Sequence, residues 1–166
     1  MKKAQGFTLI ELIIVIIILG ILAVTAAPKF IDIQSDAKKA TLQGVVASLE
    51  GAKTMVYAKA ALAGIQKTTG NAVTINGASV NVEYGHPKAE KADLLLVLDI
   101  NEGADSSAGD FTMTDGTSKV TITPAVPSTA TAPANCYVEY VQASSTGTGA
   151  AQVITPAKVN SVTTGC

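Results

Sequence analysis

Few side chains in this sequence could do chemistry. Cys136 and Cys166 are its two cysteines, His86 is its one histidine, and Asp99, Asn101, Glu102 and Asp105 gather around Gly103. The cysteines stand far apart, whereas zinc sites need close pairs such as C-x2-C. One disulfide in an exported chain is their simplest use, and two free thiols in a cytosolic chain the alternative. Closing such a loop stabilises a fold by roughly 3–4 kcal/mol on the chain-entropy account. His86 stands beside Pro87 with no second imidazole to help it, so it reads as a surface or lightly packed residue rather than a base or ligand. The acidic group hints at a calcium loop, but Gly103 and Ala104 fall where the EF-hand spacing needs a ligand and a glycine. A solvated acidic turn is the expectation. With no phosphate-binding loop, nucleophile elbow or dinucleotide fingerprint either, no enzymatic activity, metal or cofactor is expected.

The remaining candidate is Glu11, whose interest lies in its setting. It is the only charge between Phe7 and Ala27, a run that reads FTLIELIIVIIILGILAVTAA. That run explains why 166 residues that are only 4% aromatic and lack Trp are still 48% apolar, with a mean hydropathy of +0.35. The rest is a polar, Ala/Thr/Ser/Gly-rich stretch long enough for one modest core. The net charge is −1 and all 12 cations are Lys, so there is no arginine fork and no basic excess, and no nucleic-acid partner is expected.

Three readings compete for the N-terminus. A secretory signal would use Lys2 and Lys3 as its basic end and be cut after Ala26, but its apolar run is too long and carries Glu11. A plain anchor would span the roughly 30 Å hydrocarbon core with its lysines held in the cytoplasm. Neither reading explains a carboxylate that costs up to about 3 kcal/mol in a lipid-facing helix. The third does: Lys2-Lys3-Ala4-Gln5-Gly6 followed by Phe7-Thr8-Leu9-Ile10-Glu11 resembles the leader and mature N-terminus of type IV pilins.

That resemblance implies cleavage between Gly6 and Phe7 by a prepilin peptidase, N-methylation of Phe7, and pairing of Glu11 with the terminal amine of a neighbouring subunit. Two charges that are expensive alone become tolerable together, and the pairing selects the axial stagger. It also implies a chain held in the inner membrane with its N-terminus cytoplasmic. An assembly platform and minor pilins then help polymerise it into an extracellular helical homo-oligomer for surface attachment and biofilm formation. A minor pilin, or a pseudopilin of type II secretion, remains the alternative. Gly85-His86-Pro87, Asn135-Cys136-Tyr137-Val138-Glu139-Tyr140 and Thr164-Gly165-Cys166 look like the mannose-sensitive haemagglutinin (MSHA) class, although His86 stands where that class often has Tyr.

The elements that must position these residues follow from periodicity. Past Pro28, Leu42, Val45, Leu49, Ala52 and Val56 recur at helical steps, with Asp36, Lys39, Gln43, Glu50 and Lys53 supplying the other face and Gly64 a natural stop. Phe7 to Ala63 would be roughly 85 Å of helix if straight. Pro28 should kink it or break a hydrogen bond, and the resemblance implies that residues 20–28, between Gly20 and Pro28, extend on assembly. Beyond Gly64 the period becomes two. Hairpins are expected at Asn76-Gly77 and around Asp115-Gly116, with further strands at 136–141 and 151–155. Lys88 to Leu98 favours a short helix, and residues 123–134 an extended surface linker.

The expected fold is α+β, the type IV pilin roll: one long helix whose second half packs on an antiparallel sheet, with a disulfide-bounded region at 136–166. The divisions are a leader at 1–6, a membrane and filament-core half at 7–27, an amphipathic half at 28–64 and a sheet domain at 65–166.

Overall fold

The structure, a computed structural model, describes residues 7–147 and 149–166. Helix α1 runs from Leu9 to Leu62, and the chain divides into two compact units, Met1–Ala37 and Lys38–Cys166. In the first unit, the most apolar stretch of α1, Leu9–Ala26, has none of its residues buried. It is long and apolar enough to cross a membrane.

In the second unit the amphipathic reading of α1 holds. Leu42, Val45, Leu49, Ala52 and Val56 are all buried, and Ala60 continues the stripe by one more turn. Gly64 stops the helix as expected. At φ 71° it turns the chain so that its N–H reaches the Ala61 carbonyl at 3.1 Å and the Ile65 N–H reaches Ala60 at 3.0 Å. That pair of bonds satisfies two of the open carbonyls in the last turn of the helix.

Among the described residues three antiparallel sheets form, where one is expected. The first holds β1 (Asn71–Ile75), β2 (Ala78–Glu83) and β3 (His86–Pro87). The Asn76-Gly77 turn joins β1 to β2 with φ of 50° and 83°, the positive pair that a two-residue hairpin needs. Val73, Ile75, Val80 and Val82 of this sheet close on Val56 and Ala60 as a small core.

The second sheet has four strands in the order β4 (Phe111–Gly116), β5 (Lys119–Pro124), β6 (Tyr137–Val141) and β9 (Lys158–Val162). Phe111, Met113, Val120, Ile122, Val138 and Tyr140 pack on Leu42, Val45 and Leu49 in the main core. Burial of a Leu or Val side chain contributes about 1.5–3 kcal/mol. The third sheet pairs β7 (Ser144–Thr146) with β8 (Val153–Thr155). Helix α2, Lys91–Leu95, confirms the helical reading of that segment. It is tied to β2 by the buried carboxylate of Asp93, which accepts the Asn81 backbone N–H at 2.9 Å and its side-chain amide at 3.0 Å.

Four details depart from expectation. The β4–β5 turn lies at Thr117-Ser118, two residues past Asp115-Gly116, because Asp115 and Gly116 still pair with Val120 and Lys119 and Ser118 takes the positive φ of 57°. The linker at 123–134 begins later, since Thr123 and Pro124 belong to β5. Strand β9 carries little sequence signal, because only Val159 and Val162 give it apolar character. His86 is no surface residue: it is 7% exposed, pairs with Glu83 in β3, and stacks on Tyr57.

Candidate assembly segment

Phe7 precedes α1 and is 92% exposed, and every large apolar side chain from Leu9 to Val24 is exposed as well. Gly6, with the rest of the expected leader, lies outside the described residues. The helix opens at Thr8, whose position before Leu9 makes it the N-cap, with Glu11 three residues on. The Glu11 carboxylate accepts the Thr8 backbone N–H at 2.8 Å and the Thr8 hydroxyl at 2.8 Å, both on Oε2. The Glu11 N–H in turn points to Thr8 Oγ1 at 3.4 Å. This is a capping box, which satisfies open donors at a helix start. Its signature, Thr-x-x-Glu before an apolar run, stands in the sequence as Thr8-Leu9-Ile10-Glu11. Reading Glu11 only as a charge in a membrane helix leaves Thr8 without a role.

Gly20 has open space around its Cα, and the backbone stays helical from Gly20 through Pro28. At the other end of the sequence Cys136 and Cys166 are disulfide-bonded with their Cα atoms 4.9 Å apart. Cys136 is fully buried at the entry to β6, and the Gly165 N–H bonds the Asn135 carbonyl at 2.9 Å beside the crosslink.

The acidic loop is knitted to its own surroundings. Glu102 pairs with Lys91 at 2.6 Å, and the Asn101 carbonyl receives the N–H groups of Asp110 and Phe111. Asp105 accepts the Ser107 N–H at 2.9 Å and the Ser107 hydroxyl, and these bonds hold its carboxyl below the usual range. Among the described residues no group of three or more His, Cys, Asp or Glu is assembled as a metal site.

The long apolar N-terminal helix, the antiparallel sheets and the C-terminal disulfide match a type IV pilin fold. The family described as the prokaryotic N-terminal methylation motif matches residues 1–27. One relative is the type IV narrow pilus major component PilA5 of Thermus thermophilus, which is 46% identical over 50 residues. That match takes in 30% of this chain and spans less than half of the relative, 43% of its length. No solved structure matches the chain.

Proposed function

We propose that this chain is the major structural subunit of a type IV pilus. The observation that carries the reading is the wholly exposed apolar helix Leu9–Ala26 beginning at a capped carboxylate, Glu11. Such a surface needs lipid or other helices as cover. The methylation motif at residues 1–27 and the likeness to a major pilus component support the same reading.

On this reading prepilin peptidase cuts between Gly6 and Phe7, and Phe7 is N-methylated. Residues 7–27 anchor the chain in the inner membrane, residues 28–64 form the amphipathic half of the helix, and residues 65–166 form the coat. The new Phe7 amine lies one residue before the N-cap, at the positive end of the helix dipole, where a cation is disfavoured. The Glu11 carboxylate offsets that end in its own chain. An ionised carboxylate has about four acceptor sites, so after the two Thr8 bonds it retains capacity for the amine of a neighbour.

Assembly on the inner-membrane platform, with minor pilins, moves these helices from lipid into a helical filament that serves attachment and biofilm formation. Residues 20–28 lose helix in that transfer. Continuous helical density there in a filament reconstruction rules that step out. The Gly85-His86-Pro87, Asn135–Tyr140 and Thr164-Gly165-Cys166 segments favour the mannose-sensitive haemagglutinin class within that family, with His86 as a departure from its usual Tyr.

The decisive measurement is the mass of the N-terminal peptide from the host, together with the abundance of the chain in sheared surface filaments. A methylated Phe7 start in the main filament protein is expected. A start at Ala27 overturns the proposal, and a methylated start in a trace component reassigns the chain to a minor pilin or a secretion pseudopilin.

A further inference from the structure

Within the Lys38–Cys166 unit, strands β7 and β8 pair with each other and join neither of the other two sheets. The ribbon they form springs from two buried alanines of the main core, Ala143 and Ala157. Two side-chain bonds tie it down. The Ser145 hydroxyl donates to the Tyr84 hydroxyl at 2.6 Å, and Lys53 of α1 donates to the Ala157 carbonyl at 3.3 Å. Ile154 of β8 and Pro156 after it share a cleft of about 350 Å³ with His86, Tyr57 and Gln66. The β2–β3 turn sets the imidazole in that place. Tyr84 holds φ at 50°, a left-handed conformation that bulky side chains rarely adopt, and Gly85 follows at φ 81°. Gly85 passes so near its neighbours that a Cβ would stand 3.0 Å from the Tyr57 ring and 3.1 Å from the Gln66 Cα. The turn thus presses the buried His86 ring onto Tyr57, with centroids 5.0 Å apart. His86 Nδ1 is buried there without a hydrogen-bond partner.

We propose that His86 is an acid-sensitive catch for the β7–β8 ribbon, holding it closed as the neutral imidazole and releasing it as the imidazolium. The neutral ring keeps its proton on Nε2, whereas the imidazolium buries an Nδ1–H that faces no acceptor. The charges around the ring add to that cost. Lys53 and Glu50 face it from α1, Lys67 follows the helix, and Glu83 stands opposite in β2. The nearby hydroxyls are those of Tyr57, Tyr84 and Tyr140, the last of which donates to the adjoining Pro87 carbonyl. Lys88, two positions on, is engaged by Glu90, and the ribbon contributes the uncharged Ile154 and Pro156. Burial first and Lys53 second hold the His86 pKa below its usual range, with Glu50 opposing them more weakly. In the open ribbon the ring regains a value of about 6.5. The closed form is therefore fully favoured above that pH and loses ground as pH falls toward the depressed value, at most about tenfold per pH unit. The same Lys53 that an imidazolium repels also holds the Ala157 carbonyl, so protonation loosens the ribbon at its stem as well as over the ring. The Cys136–Cys166 bond and the β6–β9 pairing confine the opening to the ribbon and the β2–β3 turn.

The test is NMR on the full chain in detergent micelles, where a single histidine gives one imidazole titration. Amide hydrogen exchange is read between pH 7.5 and 5 as protection relative to an unstructured chain. Protection of the β7–β8 amides and of the Tyr84 N–H, which bonds the Thr68 carbonyl, is expected to fall by up to about tenfold per pH unit below 6.5. The β6–β9 amides should keep theirs. His86→Phe, which retains a stacked ring but cannot ionise, should make ribbon protection independent of pH. Glu50→Gln removes the charge that favours the imidazolium and should enlarge the fall, which keeps the test readable should His86→Phe disturb the fold. An imidazole pKa at or above about 6.5 overturns the proposal. So does a loss of ribbon protection that persists in His86→Phe, or one that the β6–β9 amides share, since the opening is then not local. None of these results bears on filament assembly.

Discussion

Replacing Cys166 with serine removes the crosslink to Cys136 while leaving Cys136 itself in the main core, where it is fully buried. The disulfide closes a loop of sequence separation 30 that carries β6, the β7–β8 ribbon and β9. Strands β6 and β9 are already paired over five positions, Tyr137↔Val162 to Val141↔Lys158, so the bond acts chiefly by restricting the unfolded chain. For a loop of this length the chain-entropy account gives about 3.6 kcal/mol at 25 °C. A unit of about 130 residues unfolds with an entropy near 0.27 kcal/mol/K, so Cys166→Ser should lower its Tm by about 13 °C. Near-UV circular dichroism of the full chain in detergent reads this directly. There is no tryptophan, and all four tyrosines, Tyr57, Tyr84, Tyr137 and Tyr140, lie in the Lys38–Cys166 unit. Reduction of the unaltered chain with dithiothreitol should give the same shift. A fall below about 3 °C in both experiments refutes the reasoning, because β6–β9 pairing and the core would then hold the region without the bond.

Tyr140→Phe removes a buried hydroxyl that donates to the Pro87 carbonyl at 2.7 Å and should cost about 1–2 kcal/mol, a Tm fall of roughly 4–7 °C. Gly85→Ala forces an alanine to φ 81° with its Cβ against Tyr57 and Gln66, and a loss of at least about 2 kcal/mol in the same melt is expected. For His86, burial and the Lys53 charge depress the folded pKa below the unfolded value of about 6.5, while Glu50 opposes them more weakly. The unfolded chain therefore binds more protons in this window. The His86 contribution is complete above the unfolded pKa and is lost as pH falls toward the folded one, at no more than about 1.4 kcal/mol per pH unit. Melts between pH 7.5 and 5 should show that slope, and His86→Phe should flatten it.

The parts of the fold legible in the sequence are those set by local chemistry. Leu42 to Val56 recurs at helical spacing between charged flanks, Gly64 supplies the positive φ that ends a helix, and Asn76-Gly77 supplies the pair that closes a hairpin. What could not be read depends on partners distant in sequence. Strand β9 is weakly apolar, and its pairing is dictated by β6 and the nearby crosslink. His86 looks solitary beside Pro87, yet the turn at Tyr84-Gly85 folds it back against Tyr57, and no linear pattern joins those two positions. Ser118 takes the left-handed corner that Asp115-Gly116 advertises, because strand pairing runs through Gly116 before the chain reverses. The N-terminal segment shows the reverse: Thr8-Leu9-Ile10-Glu11 is a visible capping box, obscured by the stronger hydropathy signal around it.

That capping box leaves Glu11 with two separable roles, and one pair of substitutions distinguishes them. The exposed side chains from Phe7 to Val24 represent unrealised burial on the order of 20 kcal/mol, far more than any single contact of Glu11 can supply. On the proposed function Glu11 would therefore set register rather than supply driving force: a misaligned subunit would strand a carboxylate among apolar helices, at a cost of several kcal/mol. Glutamine serves at the third position of a capping box almost as well as glutamate, but it carries no charge for a neighbour's amine. Glu11→Ala removes both functions, whereas Glu11→Gln removes only the pairing. If charge sets the register, both variants are processed normally at Gly6-Phe7 and neither is piliated. If piliation survives in Glu11→Gln and is lost in Glu11→Ala, Glu11 acts through its own helix start, and the proposed contact between subunits falls.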